Sequence, residues 1–183
     1  MPHAPDTPPT PVTVLRRLAR LRVPLGFVFG AAVLVLARPT WRSLAAGAAV
    51  GVAGQLLRLW AAGHLEKSRE VTRSGPYRFT RHPLYVGSSI MGAGVAVATR
   101  SWVVALLVLV YMSTTIFAAI RTEEAFLRAR FGDDYAAYAE RRAPAMERRF
   151  SVERAWRNKE YRSIIGFACA LALLAARAAW LTR

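Results

Sequence analysis

The chain is poor in several things, and each shortage excludes a class. A single cysteine, Cys169, stands among 183 residues. One thiol makes no internal disulfide, so a disulfide-stapled extracellular scaffold is excluded. Cys169 lies in the last apolar run and reads as a small packing residue. Histidine is rare, at three residues. His64 and His82 lack the close ligand spacing of a zinc site, so no metal is expected. Acidic residues are also scarce, 11 against 26 lysines and arginines, for a formal net charge of +15. The opening "MPHAPDTPPTP" has little hydrophobic content. It reads as a proline-rich disordered tail, and no small-residue cleavage site marks it as a secretory leader.

Hydrophobic sequence is what the chain has in quantity, 54% of it. The positive charge is not spread through it but falls in blocks between apolar runs, the pattern of an integral membrane protein. Five runs stand out: Val23 to Ala37, Leu44 to Gly63, Leu84 to Thr99, Trp102 to Ile120 and Ser163 to Leu181. A spanning helix needs about 20 apolar residues, with roughly 17 as a minimum. The expected fold is therefore all-α, with about five transmembrane helices and no Rossmann domain. Residues 1–22 form a tail, and residues 23–183 a single membrane domain with a motif core at 63–144.

The basic blocks give an orientation. Arg16, Arg17, Arg20 and Arg22 precede the first run. Lys67, Arg69, Arg73, Arg78 and Arg81 separate the second from the third, and a larger block from Arg121 to Arg162 separates the fourth from the fifth. The alternate loops hold only Arg38, Arg42 and Arg100. The positive-inside rule then puts the N-terminus in the cytoplasm of an inner or cell membrane and the C-terminus outside. Arg58 is expected to snorkel to the cytoplasmic face. Nucleic acid is not expected as a partner, because topology and anionic lipid account for the basic charge. Glycines four apart, such as Gly47 and Gly51, suit close helix packing within or between chains and leave the oligomeric state open.

Segments 64–83 and 121–162 fall on one side and hold the polar complexity, so a site is expected where they meet. In the first, "SGPY" at Ser74 to Tyr77 marks a turn. In "RHPLYVG", His82 before Pro83 is pushed out of the helical region, and Pro83 suits a first helical position. The third helix should start there, with free amides and an affinity for anions. In the second, "RTEEAFLRARFGDDYAAYAERRAP", the fourth helix runs unbroken from Trp102 to Phe131. That is about 30 residues and roughly 45 Å, longer than the roughly 30 Å hydrocarbon core. Arg121 and Glu124, three apart, share a helix face and can pair. Gly132 ends the helix. Residues 145–162 read as a basic interfacial stretch with Phe150, Val152 and Trp156 toward lipid.

These two motifs, in this order and separated by a helical hairpin, resemble the isoprenylcysteine carboxyl methyltransferases and, more distantly, the phospholipid N-methyltransferases. The similarity covers about Gly63 to Pro144. It implies S-adenosylmethionine-dependent methyl transfer by a small helical membrane enzyme. It further implies that Gly75, Pro76, Tyr77, Arg81, His82, Tyr85 and Gly87, with Glu123 and Glu124, line the cofactor pocket. Arg121 and Glu124 match the charged pair at the family's active site. The implied partners are membrane lipid and a lipophilic or small amphiphilic methyl acceptor, with O-, N- and S-methylation all compatible. Two other functions fit the composition: a nicotinamide-dependent membrane reductase on a similar scaffold, and a non-catalytic binder of anionic lipid.

Overall fold

The computed structural model describes residues 26, 28–144 and 146–183. The N-terminal tail and its arginines lie outside the described residues, as does the start of the first apolar run. The chain divides into residues 1–35 and 36–183. In the first unit residues 26 and 28–35 are helical, and this helix, α1, ends at residue 36.

The second unit is built on α2 (Trp41–Ala62), α3 (Pro83–Thr99), α4 (Trp102–Ala139), α5 (Val152–Arg157) and α6 (Tyr161–Leu181). Every regular element among the described residues is helical. Helices α2, α4 and α6 are long and apolar enough to cross a membrane, and α3 is a shorter apolar helix of 17 residues. At a rise of about 1.5 Å per residue α3 reaches about 26 Å, just short of the hydrocarbon core. The protein is an all-α integral membrane protein.

Local sequence sets the helix ends. Thr40 and Ser43 form a capping box at the start of α2, each side chain accepting from the other's backbone amide. The Ser43 hydroxyl also donates to the Ala98 carbonyl at 2.9 Å, and the Arg38 amide donates to Thr99 at 2.9 Å. These bonds tie the start of α2 to the end of α3. Helix α3 begins at Pro83, as its sequence predicts. Arg100 turns left-handed (φ 49°) beyond its end, and Ser101 caps α4 by accepting from the Val104 amide, so "TRS" makes the hairpin.

Helices α2 and α3 pack backbone to backbone. A methyl group added to Gly47 would lie 2.4 Å from the Gly94 carbonyl oxygen, and one added to Gly54 would lie 2.6 Å from that of Gly87. Without a solvent-driven hydrophobic effect inside lipid, such close approach is a main source of helix adhesion. On another side of α2, the Phe167 ring of α6 fills the space that a side chain at Gly51 would need. Outward faces of α4 and α6 carry exposed Leu106, Leu109, Phe117, Ile165 and Leu173, as lipid contact requires. Cys169 is exposed on α6 rather than packed, a correction to the sequence reading. Its small apolar character suits either surface, so composition did not discriminate.

Helix α4 breaks where expected. Gly132 adopts φ 46° and ψ −117°, a conformation that L side chains rarely adopt, although its missing side chain faces open space. Glycine is needed here for backbone angle, not for room. The chain turns back after it, and Tyr135 becomes 1% exposed.

The stretch after Pro144 differs from its expectation. Val152 and Trp156 are exposed, but Arg148 and Arg154 turn inward, while Arg149, Arg157, Lys159 and Arg162 stay exposed. Arg154 donates to the Gly63 carbonyl, and Asn158 donates to the carbonyls of Ala62 and Leu65. They satisfy backbone acceptors left over where α2 ends. Arg148 pairs with Glu70 and Arg157 with Glu66. Phe150 covers Gly63 and stacks obliquely on His64 instead of facing lipid alone. An interfacial stretch with unsatisfied helix carbonyls beside it gains more from capping them than from open water.

Candidate functional site

The site forms where the turn before α3 meets the far half of α4. Residues Gly75–Arg78 make one 3-10 turn, entered by Gly75 at φ 56°. A side chain on Gly75 would strike the His64 ring, at 2.6 Å. His64 itself is 5% exposed and donates from Nδ1 to the Trp60 carbonyl at 2.9 Å. It is a packing residue that supports the turn from behind. Pro76 and Tyr77 are buried. Burial, reinforced by the Glu123 carboxylate, pushes the Tyr77 phenol well up, so this hydroxyl stays neutral. The Tyr77 carbonyl accepts from the Tyr138 hydroxyl at 2.8 Å. The helical turn beyond Gly132 thereby clamps the turn before α3.

His82 is the hinge of the arrangement. Its Nε2 lies 3.2 Å from Glu124 Oε1, and its Nδ1 lies 3.9 Å from Glu123 Oε2. Arg81 reaches Glu124 at 3.2 Å, and Arg128 reaches it at 3.4 Å from one turn along α4. Three basic groups thus surround one carboxylate that is only 15% exposed. The stretch around residue 82 and the pair at 123 and 124 share one side of the molecule, 42 residues apart in sequence.

The cluster is incomplete. His82 Nδ1 is buried with no hydrogen-bond partner among the described residues, and the buried Tyr135 hydroxyl has only a weak interaction with Glu124. Tyr135 lies within electrostatic reach of Glu124 and Arg81, and its ring sits 6.3 Å from that of Tyr138. A buried polar atom left unpaired costs on the order of 1–3 kcal/mol, which a ligand group can recover. Tyr85 packs near the His82 ring at 5.8 Å. Glu123 is 43% exposed and acts electrostatically on Tyr77, Tyr85 and Tyr138. It is the open carboxylate, while Glu124 is the enclosed one.

Three sequence expectations need correction. Arg121 does not pair with Glu124: its guanidinium lies over the Phe117 ring at 4.9 Å, and Glu124 takes Arg81, His82 and Arg128 instead. Spacing of three allows a pair, but partners from another segment enclose the carboxylate better than an exposed neighbour. Gly87 faces α2, where an added methyl would lie 2.6 Å from Arg58 Cγ and 2.7 Å from the Gly54 carbonyl. Its lack of a side chain serves helix packing. The amides at the start of α3 are largely used, since Tyr85 and Val86 both donate to the His82 carbonyl and Pro83 has none.

Sequence reasoning missed Arg128, Tyr135 and Tyr138 as neighbours of the site. The i,i+4 spacing of Glu124 and Arg128 was a usable signal. It also missed Glu160, which holds Arg58. Arg58 does not snorkel: Nε and Nη2 donate to Glu160 at 2.9 and 3.0 Å.

Among the described residues no group of three or more His, Cys, Asp or Glu side chains is placed to hold a metal. No solved structure matches the chain. Among curated proteins it is 37% identical over 99 residues to the cobalt-zinc-cadmium resistance protein CzcN of Cupriavidus metallidurans, covering 53% of this chain and 45% of that one. It is 37% identical over 123 residues to the nickel-cobalt-cadmium resistance protein NccN of Alcaligenes xylosoxydans xylosoxydans, covering 63% and 55%. It is 34% identical over 86 residues to the protein-S-isoprenylcysteine O-methyltransferase of Schizosaccharomyces pombe, covering 47% and 36%. The chain spans about half the length of the first two relatives and about a third of the last. A family model described as phospholipid methyltransferase matches residues 26–134, more than half of the chain, and includes Arg81, His82, Glu123, Glu124 and Arg128. The chain therefore belongs to the phospholipid methyltransferase family.

Proposed function

We propose that the protein is an S-adenosylmethionine-dependent methyltransferase that acts on a lipophilic or small amphiphilic acceptor at the cytoplasmic boundary of the membrane. The observation that carries this reading is the contact between His82 and Glu124 at 3.2 Å, with Nδ1 of the same ring buried and unpaired. Two family motifs far apart in sequence meet there and leave polar capacity over. The residues fit the cofactor's charges. Its ammonium and sulfonium suit the carboxylates of Glu123 and Glu124 and the ring face of Tyr85. Its carboxylate suits Arg81, whose side chain is 43% exposed, and His82. Gly75, Pro76 and Tyr77 shape the turn beside them, and Gly87 acts behind the site by letting α3 seat on α2.

The cofactor, when bound, supplies an electrophilic methyl group on sulfur. The chain's own part is to hold the acceptor in line with that group and to keep water away, effects worth several orders of magnitude together. Arg121 lies on the exposed face of α4 and would hold an acceptor carboxylate. An acceptor amine or thiol would instead give its proton to Glu124. Where α4 leaves the membrane, an acceptor tail can stay in lipid while its head reaches the polar cluster. The relatives' names support the class of chemistry: one is a protein-S-isoprenylcysteine O-methyltransferase, and the family is named for phospholipids.

The test is calorimetric titration of the detergent-purified protein with S-adenosylhomocysteine, followed by transfer of labelled methyl to a panel of isoprenylcysteine and phospholipid acceptors. Binding that weakens on His82→Ala and Glu124→Gln supports the site. Absence of binding by the unaltered protein overturns the activity. Unchanged binding in both variants overturns the residue assignment.

A further inference from the structure

Helix α6 lies wholly beyond residue 134, where the family match ends, yet it supplies the partner of a charged residue behind the site. Arg58 sits on α2 one turn before its end, with its side chain 19% exposed, and Glu160 begins α6 with its side chain 5% exposed. The two make a bidentate pair, Nε to Oε1 at 2.9 Å and Nη2 to Oε2 at 3.0 Å. Gln55 also donates to Glu160 at 2.9 Å, and Ser163 donates to Gln55 at 2.9 Å. The remaining Nη1 of Arg58 turns to α3, where it donates to the Leu84 carbonyl at 3.3 Å and to the Ser88 hydroxyl.

Each nitrogen of the guanidinium thus donates to protein, with four of its five N–H groups used. Its contacts are also selective. Leu84 and Ser88 flank Tyr85, and His82 accepts the Tyr85 and Val86 amides one turn before. Gly87 provides the notch through which the arginine stem passes. Arg58 also lies within electrostatic reach of the Tyr77 and Tyr85 hydroxyls. A charged side chain on a spanning helix is costly and is kept where it has a task. Adhesion of α6 to α2 is already provided by Phe167 over Gly51, so the polar cluster adds direction as well as attachment.

We infer that the C-terminal helix is part of the working site: through Glu160 it fixes the Arg58 guanidinium, which in turn holds the first turns of α3 and so the placement of His82 and Tyr85. Arg58 and Glu160 are positioning residues in this scheme and touch neither cofactor nor acceptor. The inference rests on the methyltransferase reading for its kinetic consequence, but its structural consequence stands alone. A shift of about 1 Å at a reacting group costs on the order of a hundredfold in rate.

The experiment compares the full chain with Glu160→Gln and Arg58→Lys, using Glu153→Gln on exposed α5 as a control. Glu160→Gln keeps size and hydrogen bonding but loses the charge. Arg58→Lys keeps the charge but loses the planar fork that serves Glu160 and α3 together. Hydrogen exchange is read at residues 84–88 under conditions where each variant is fully folded by its own melting curve. Affinity for S-adenosylhomocysteine is measured alongside. Both variants should lose protection at residues 84–88 and bind S-adenosylhomocysteine on the order of tenfold more weakly, and Arg58→Lys should not rescue. The Glu153 control should match the unaltered protein. Melting points that fall with no change in exchange or affinity would show α6 to be a stabilising span only and would overturn the inference. Faster exchange with unchanged affinity would overturn the link to the cofactor site. If the unaltered protein does not bind S-adenosylhomocysteine, the methyltransferase reading fails, and the exchange measurement alone decides whether α6 positions α3. A variant that does not fold is replaced by Phe167→Leu, which loosens the same helix without touching a charge and should shift exchange in the same direction.

Discussion

Two ionic clusters stand within a few turns of each other, and they differ in one respect. The Arg58–Glu160 cluster is closed: both ions are largely buried, and their donors and acceptors are matched by Gln55, Ser163, Ser88 and a backbone carbonyl. The His82–Glu124 cluster is open: Arg81 and Arg128 are exposed, Glu123 is half-exposed, and the buried His82 Nδ1 has no hydrogen-bond partner among the described residues. A satisfied cluster in a dry place acts as scaffold, because any change costs a buried charge its partner. An unsatisfied cluster at a boundary is poised to receive a ligand, because ligand groups can supply what the protein leaves out. The open cluster holds more ionisable residues, Arg81, His82, Glu123, Glu124 and Arg128 against Arg58 and Glu160, yet it is the one left incomplete.

That contrast can be broken deliberately. The largest effect is expected from Arg58→Met, which strands Glu160 and should cost about 3–5 kcal/mol of stability. It would be read as a fall in the detergent melting temperature. Adding Glu160→Leu should recover much of the loss, as matched removal of both ions does elsewhere. If the double variant is no better than the single, the closed cluster is not a simple pair.

Glu124→Gln should act the other way round, with turnover falling on the order of a hundredfold, about 3 kcal/mol in barrier, and little change in melting. A large melting shift with normal turnover would make the open cluster a scaffold like its neighbour. Gly94→Ala tests the seam that carries both clusters. Its methyl would lie 2.6 Å from the Gly47 carbonyl, and overpacking should cost about 1–3 kcal/mol. The smallest effect is expected from Tyr138→Phe, which removes one hydrogen bond to the Tyr77 carbonyl and should cost about 1 kcal/mol. Greater protease sensitivity within residues 74–80 would confirm that this bond clamps the turn.

Legibility in the sequence followed the range of the interaction. Pro83 starts α3, because proline acts on its own backbone neighbourhood. Gly132 breaks α4 for the same local reason. The meeting of segments 64–83 and 121–162 was also readable, since alternating charge blocks assign both to one side of a bilayer. Individual partners were not readable. The i,i+3 rule offered Arg121 to Glu124, but Arg81 and His82 reached that carboxylate from 43 and 42 residues away. Arg58 looked like a residue bound for water until Glu160, 102 residues on, was found against it.

By itself the sequence determined the all-helical membrane class, the ends of its central helices and the two segments, 64–83 and 121–162, in which its polar residues gather. These follow from hydropathy, charge and backbone preference, which act within a few residues or over a whole leaflet. Only the tertiary structure decided which charges are sealed and which stay open, and that α6 joins the scaffold behind the site. Such choices depend on how helices far apart in the chain are set against one another, within an ångström, and no local pattern encodes that distance.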